Sequence, residues 1–148
     1  MGDEPSSFLK KIRRRGREIA LQILYQQDIA KESLKVVYDF FRDNYKSPLE
    51  ALDYAWKLVQ GVDENRTQIE LLLKRHVSGW RLERLPIIER NILRLAIYEM
   101  LYVSYVPLKV SINEAIELAK VYGSKTSSIF VNAVLDAIYH KESINDGK

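Results

Sequence analysis

Apolar residues recur at three- and four-residue spacing along most of the chain, and no stretch alternates with the two-residue period of a half-buried strand. A first helix is predicted over about Phe8 to Ile29, with Ile12, Gly16, Ile19, Ala20, Ile23 and Leu24 forming one buried stripe. A second, about 34–45, follows Ser33 as N-cap and offers Leu34, Val37, Tyr38, Phe41 and Tyr45 at helical spacing. Ser47, Pro48 and Glu50 then supply an N-cap, a first-turn proline and a capping-box carboxylate. The stripe behind them, Leu52, Ala55, Trp56 and Val59, is continued by Ile69, Leu72, Leu73 and His76. The period therefore predicts one long helix over 48–76, with a break at Gly61 as the alternative, since glycine costs a helix interior about 1 kcal/mol relative to alanine.

Beyond Ser78-Gly79 a short irregular connection carries Trp80, Leu82 and Leu85, and Pro86 opens a helix to about Tyr102. Ile87, Ile88, Ile92, Leu93, Leu95, Ala96, Ile97, Met100 and Leu101 cover most of its circumference, the pattern of a helix with neighbours on several sides. After Pro107, Ser111 and Glu114 stand in capping-box register before Ile112, Ala115, Ile116, Ala119 and Tyr122, and Gly123 is a suitable stop. A last helix, about 127–141, offers Phe130, Val131, Val134, Leu135 and Ile138. Six or seven helices without a sheet predict an all-α bundle, one domain over 1–148 with flexible ends at 1–7 and 142–148.

The absence of cysteine removes disulfides, thiolate metal sites and cysteine nucleophiles, and two histidines make a poor metal site. The longest run free of Asp, Glu, Lys and Arg, 126–135, is about half of what a spanning helix needs, and no apolar segment follows the N-terminal charges as in a secretory signal. A cytoplasmic protein is expected. Basic residues number 23 against 20 acidic, a small surplus whose location matters more than its size. Residues 10–17 hold six of the basic residues and no acid, leaving 17 against 20 elsewhere. At 100° per residue, Lys10, Arg14, Arg17, Leu21 and Tyr25 fall roughly opposite Ile12 and Ile23, with Arg13 and Arg15 on the flanks, so a basic outer face is predicted.

Arginine forks pair with phosphate and stack on bases, and Tyr25 on the same face is a stacking platform for single-stranded RNA. Cations crowded at the positive end of a helix dipole cost stability, which favours an external anionic partner over an idle solvated arm. Charge alone leaves RNA and DNA both open. Enzyme signatures are weak. Gly123-Ser124-Lys125-Thr126 lacks the glycine spacing of a P-loop and reads as a helix stop and polar turn. His76 and His140 lie at different helix ends, and Glu89 and Glu99 stand about 15 Å apart along one helix, too far for an acid–base pair. No catalytic constellation and no cofactor site emerges.

Four blocks carry a resemblance. Arg13-Arg14-Arg15-Gly16-Arg17-Glu18-Ile19-Ala20-Leu21-Gln22-Ile23-Leu24-Tyr25-Gln26 resembles the arginine-rich opening of the NusB family of bacterial transcription antitermination factors. The segment from Ile88 to Glu99 is similar to that family's central helix, Val110 to Gly123 to the helix after it, and Phe130 to Asp136 to its last. The resemblance implies a seven-helix protein of two small packed bundles that is not an enzyme. It implies binding of boxA-type single-stranded RNA in nascent ribosomal-RNA transcripts together with NusE, a protein of the small ribosomal subunit, within an RNA polymerase antitermination complex.

On that resemblance Lys10, Lys11, Arg13, Arg14, Arg15, Arg17 and Tyr25 meet RNA, while Glu89, Thr126 and Phe130 stand at partner-facing positions. The plainer alternatives are that Phe130 fills core, that Glu89 caps its own first turn, and that Asn113 and Asn132 stabilise packing. Two departures stand out. Gly16 replaces the family's usual alanine, loosening the first helix by roughly 1 kcal/mol, and Lys125-Thr126 replaces a more acidic turn. Rival readings are a helical adaptor that binds only proteins and a relative of the RNA-binding domain fused to ribosomal-RNA cytosine methyltransferases, though neither a glycine-rich cofactor loop nor a cysteine is present. A homodimer through the basic face is a further alternative.

Overall fold

Capped, periodic segments become eight α-helices in the computed structural model, which describes residues 6–144 and 146, the side chain of residue 80 excepted. They are α1 (Ser7–Ala30), α2 (Leu34–Asn44), α3 (Leu49–Glu64), α4 (Arg66–His76), α5 (Gly79–Arg84), α6 (Ile87–Tyr102), α7 (Leu108–Tyr122) and α8 (Ser127–Lys141), with no strand among the described residues. The all-α class is as expected. The helix count is higher because the long third helix is two helices and the irregular connection is a short one. The chain forms two compact units, one ending at Gln60 and the other beginning at Gly61.

In the first unit, Ser6 Oγ accepts from the Leu9 amide and Ser33 Oγ from that of Val36, so side-chain caps start α1 and α2. Lys31 ends α1 in the left-handed conformation, φ 59°, its amide donating to Gln27 O. Phe41 stacks on Tyr45, and Tyr38 lies 4.8 Å from Trp56 between ring centroids, joining α2 to α3. The buried side of α1 is broader than the predicted stripe. Arg17 and Leu21, expected on the outer face, are buried along with Ile12, Ile19, Ala20, Ile23 and Leu24. Gly16 has a packing reason: a Cβ there would lie 2.9 Å from Tyr54 Cδ2 and 3.1 Å from Ala51 O, so its missing side chain admits α3. Close approach, rather than a loosened arm, accounts for this glycine.

In the second unit α6 packs with α4, α7 and α8, and every residue from Asn91 to Met100 is buried. The break in the long helix falls at Asn65, whose amide and side-chain Nδ2 both donate to Gly61 O. Gly61 itself stays helical beneath Tyr98, whose ring occupies the space a Cβ would take. Arg90 Nη2 donates to the carbonyls of Leu82, Glu83 and Leu85, tying down the end of α5. The start of α7 is four residues earlier than the capping-box reading, with Pro107 in the N-cap position, and Ser111 is buried and donates to Glu99 Oε1 at 2.7 Å instead of capping. Asp146 Oδ1 accepts from the Leu108 amide at the α7 N-terminus, a favourable place for an anion.

Of the ends expected to be flexible, residues 1–5, 145, 147 and 148 lie outside the described residues. Ser6 and Ser7 belong to the α1 cap and first turn. Glu142 is bound by two partners, Arg75 Nη1 at 2.6 Å and His76 Nε2 at 2.7 Å.

Candidate nucleic-acid and partner surfaces

The opening turns of α1 carry the basic cluster because Ser6 starts the helix upstream of Lys10 and every side chain from there on has a fixed helical direction. Lys10, Lys11 and Arg14 are exposed and Arg13 is half-buried. Arg15 is partly engaged, with Nη1 3.5 Å from Glu18 Oε1 and Nη2 3.5 Å from Ser47 Oγ. Tyr25 is 39% exposed. It lies within about 20° of Arg14 around the axis and roughly 16 Å farther along, three turns of helix. This is a basic strip ending in an aromatic ring, suited to phosphates followed by a stacked base.

Arg17 stands apart from that strip. Only 6% exposed, its guanidinium lies over the Tyr54 ring, 5.8 Å from the centroid. Cation–π contact and burial of its aliphatic stem make it part of the packing of α1.

In the second unit Glu89, Thr126 and Phe130 cluster where the starts of α6 and α8 meet. Glu89, on the first turn of α6, is buried and accepts a 2.6 Å hydrogen bond from Ser127 Oγ, the first residue of α8. Ser127 Oγ in turn accepts from the Ser124 amide at 2.8 Å, and Ser124 Oγ is 3.1 Å away. Gly123 makes this turn possible, since a Cβ there would fall 2.5 Å from Ser127 Oγ. The plainer alternative for Glu89, capping its own first turn, is replaced by this link to α8.

Thr126 is exposed and Phe130 is half-buried, its ring under the Arg81 guanidinium at 4.5 Å. They border an open groove of about 600 Å³ whose walls include His76, Val77, Ile129 and Ala133. Ile129 is 70% exposed. An apolar floor with a cation at its rim accommodates an apolar or aromatic group next to an anionic one. Sequence reasoning missed Arg81, Ser124 and Ser127. Arg81 sat in the segment read as irregular, Ser124 was read only as part of a polar turn, and Ser127 at the start of α8 leaves no periodic signal. At the far wall His76 donates to Glu142 and holds its carboxyl below the usual range, with Arg75 adding to the effect and burial opposing it.

Among the described residues no group of three His, Cys, Asp or Glu is placed to hold a metal ion, and no helix is long and apolar enough to cross a membrane. The family model described as the NusB family matches residues 14–140. A transcription antitermination protein NusB from Myxococcus xanthus is 45% identical over 130 residues, covering 85% of this chain and 93% of that protein. The fold is similar to a solved structure of T. maritima NusB, with TM-score 0.78 and 37% identity over 87% of this chain and 91% of that one. It is also similar to a chain in a crystal structure of antitermination factors NusB and NusE in complex with dsRNA, with TM-score 0.77 and 29% identity over 87% and 96%.

Proposed function

The chain belongs to the NusB family, and we propose on that premise that it is a transcription antitermination factor which binds boxA-type single-stranded RNA of nascent ribosomal-RNA transcripts together with NusE and promotes read-through by RNA polymerase. It works in the cytoplasm, and residues 1–148 act as one RNA-binding domain. The observation that carries the reading is the exposed basic strip on α1, in a chain matched to the family from residue 14 to residue 140. Lys10, Lys11, Arg13, Arg14 and Arg15 contact phosphates, and Tyr25 stacks on a base. Arg17 supports the strip from within the fold, by holding α1 over Tyr54. Thr126, Phe130 and the neighbouring groove belong to the partner-binding surface, with Arg81 as its cation.

Fluorescence anisotropy of a short boxA-like RNA across a salt series, with and without NusE, tests this directly. The triple variant K10A/K11A/R14A is expected to bind roughly 100-fold more weakly at low salt. Its log–log salt slope should be shallower by about 2, since each lost single-strand phosphate contact removes about 0.7. Its circular dichroism should be unchanged. NusE capture that neither RNA nor these substitutions affect would instead identify a protein-only adaptor.

A further inference from the structure

Glu89 stands among the residues assigned to the partner-binding surface, yet its carboxylate is turned into the fold. The structure gives that carboxylate other work. It is 9% exposed, and its Oε1 is engaged by Ser127 Oγ, which is itself 1% exposed. Thr126, in the N-cap position of α8, provides no side-chain cap. The first turn of α8 is instead organised by Ser127, which accepts from the Ser124 amide and donates to Glu89. Glu89 also lies in the first turn of α6, so the partial positive charges of two helix N-termini converge on it. Thr126 immediately precedes Ser127, and Phe130 follows it by about one turn.

We infer that Glu89 and Ser127 are a positioning pair that sets the first turn of α8, and through it the Phe130 ring beneath Arg81 and the Thr126 side chain, while Glu89 makes no contact with the partner. The inference rests on the antitermination reading for what that surface binds. The local geometry it asserts is independent of the ligand. Loss of either member breaks the Glu89–Ser127 hydrogen bond, and loss of Ser127 also removes the acceptor of the Ser124 amide, so the two substitutions combine less than additively. Glutamine at position 89 keeps an oxygen that accepts from Ser127, whereas alanine does not.

The test uses E89A, E89Q, S127A and E89A/S127A in the full chain with ring-labelled phenylalanine, the Phe130 signals being assigned with F130L. Ring shifts are read in the free protein, and affinity for a boxA-like RNA with NusE by anisotropy. E89A and S127A are each expected to move the Phe130 ring signals and weaken the complex by about tenfold. The double variant should be no weaker than S127A alone, and E89Q should stay within about twofold of the parent for both readouts. Equal loss of affinity in E89Q and E89A with Phe130 unmoved would overturn the inference in favour of a direct charge contact. A fall in melting temperature with ring shifts and affinity unchanged would overturn it in favour of a purely structural bond. If the parent protein binds no RNA with or without NusE, the antitermination reading fails, and the ring shifts of the free protein still decide whether Glu89 and Ser127 set Phe130. Should S127A not fold, E89A against E89Q gives the same decision.

Discussion

In the unit ending at Gln60, Lys10, Lys11 and Arg14 stand exposed on the first turns of one helix, whereas in the unit beginning at Gly61 Glu89, Asn91, Arg94 and Glu99 of α6 are buried and hydrogen-bonded. Arg94 reaches Glu70 at 2.7 Å and Asn91 at 3.1 Å, Glu99 accepts from Ser111, and Glu89 accepts from Ser127. Exposed cations contribute little to stability and are available to an external anion. Buried polar groups contribute through complete pairing, and losing one partner strands the other. The same residue types are thus exposed on a helix surface in one unit and serve architecture in the other. Arg17 shows that the division follows burial rather than side-chain identity, because it lies on the same helix as the exposed cations and packs on Tyr54.

The comparison breaks most severely where a helix has no room. Gly61→Ala places a Cβ into the Tyr98 ring, and should destabilise the protein by about 3 kcal/mol, read as a lower urea midpoint, with RNA affinity of the remaining folded protein retained. A smaller effect is expected for Ser111→Ala, which removes a donor from the buried Glu99 carboxylate. About 2 kcal/mol of stability should be lost, and an unchanged urea midpoint would show that the bond is dispensable.

Sharper still is the pair Arg17→Ala and Arg14→Ala. The first should cost about 1 kcal/mol through lost packing, and the second less than about 0.5 kcal/mol while weakening RNA binding. Equal stability of the two variants would contradict the separation of roles along α1.

How far this was legible in the sequence differs between the units. The basic run on α1 was visible because its members are consecutive, and its exposure follows for Lys10, Lys11 and Arg14. The Glu89–Ser127 link was not, because its partners stand 38 positions apart and neither breaks a local pattern. Resemblance marked Glu89, Thr126 and Phe130 without saying what each does.

The last expected effect concerns pH. The carboxyl of Glu142 is held below its ordinary range by the hydrogen bond from His76 and by Arg75, so its contribution is present above the ordinary carboxylate pKa and is lost as pH falls through the lowered one. The stability difference between the parent and Glu142→Gln should be about 1 kcal/mol or less near neutrality and vanish in acid once the carboxyl is protonated. A difference that persists in acid would mean that shape rather than charge holds this end of α8.

Helical class, the cap at Ser33, the opening of α6 after Pro86 and the basic cluster follow from the chain alone, because each is fixed by residues within one or two turns of one another. Tertiary structure decided the rest. It kept Gly61 helical under Tyr98 and moved the break to Asn65, it buried Arg17 against Tyr54, and it drew Ser111 from a cap to Glu99. In each case the deciding partner is remote in sequence, and packing against it outweighs a local preference of about 1 kcal/mol.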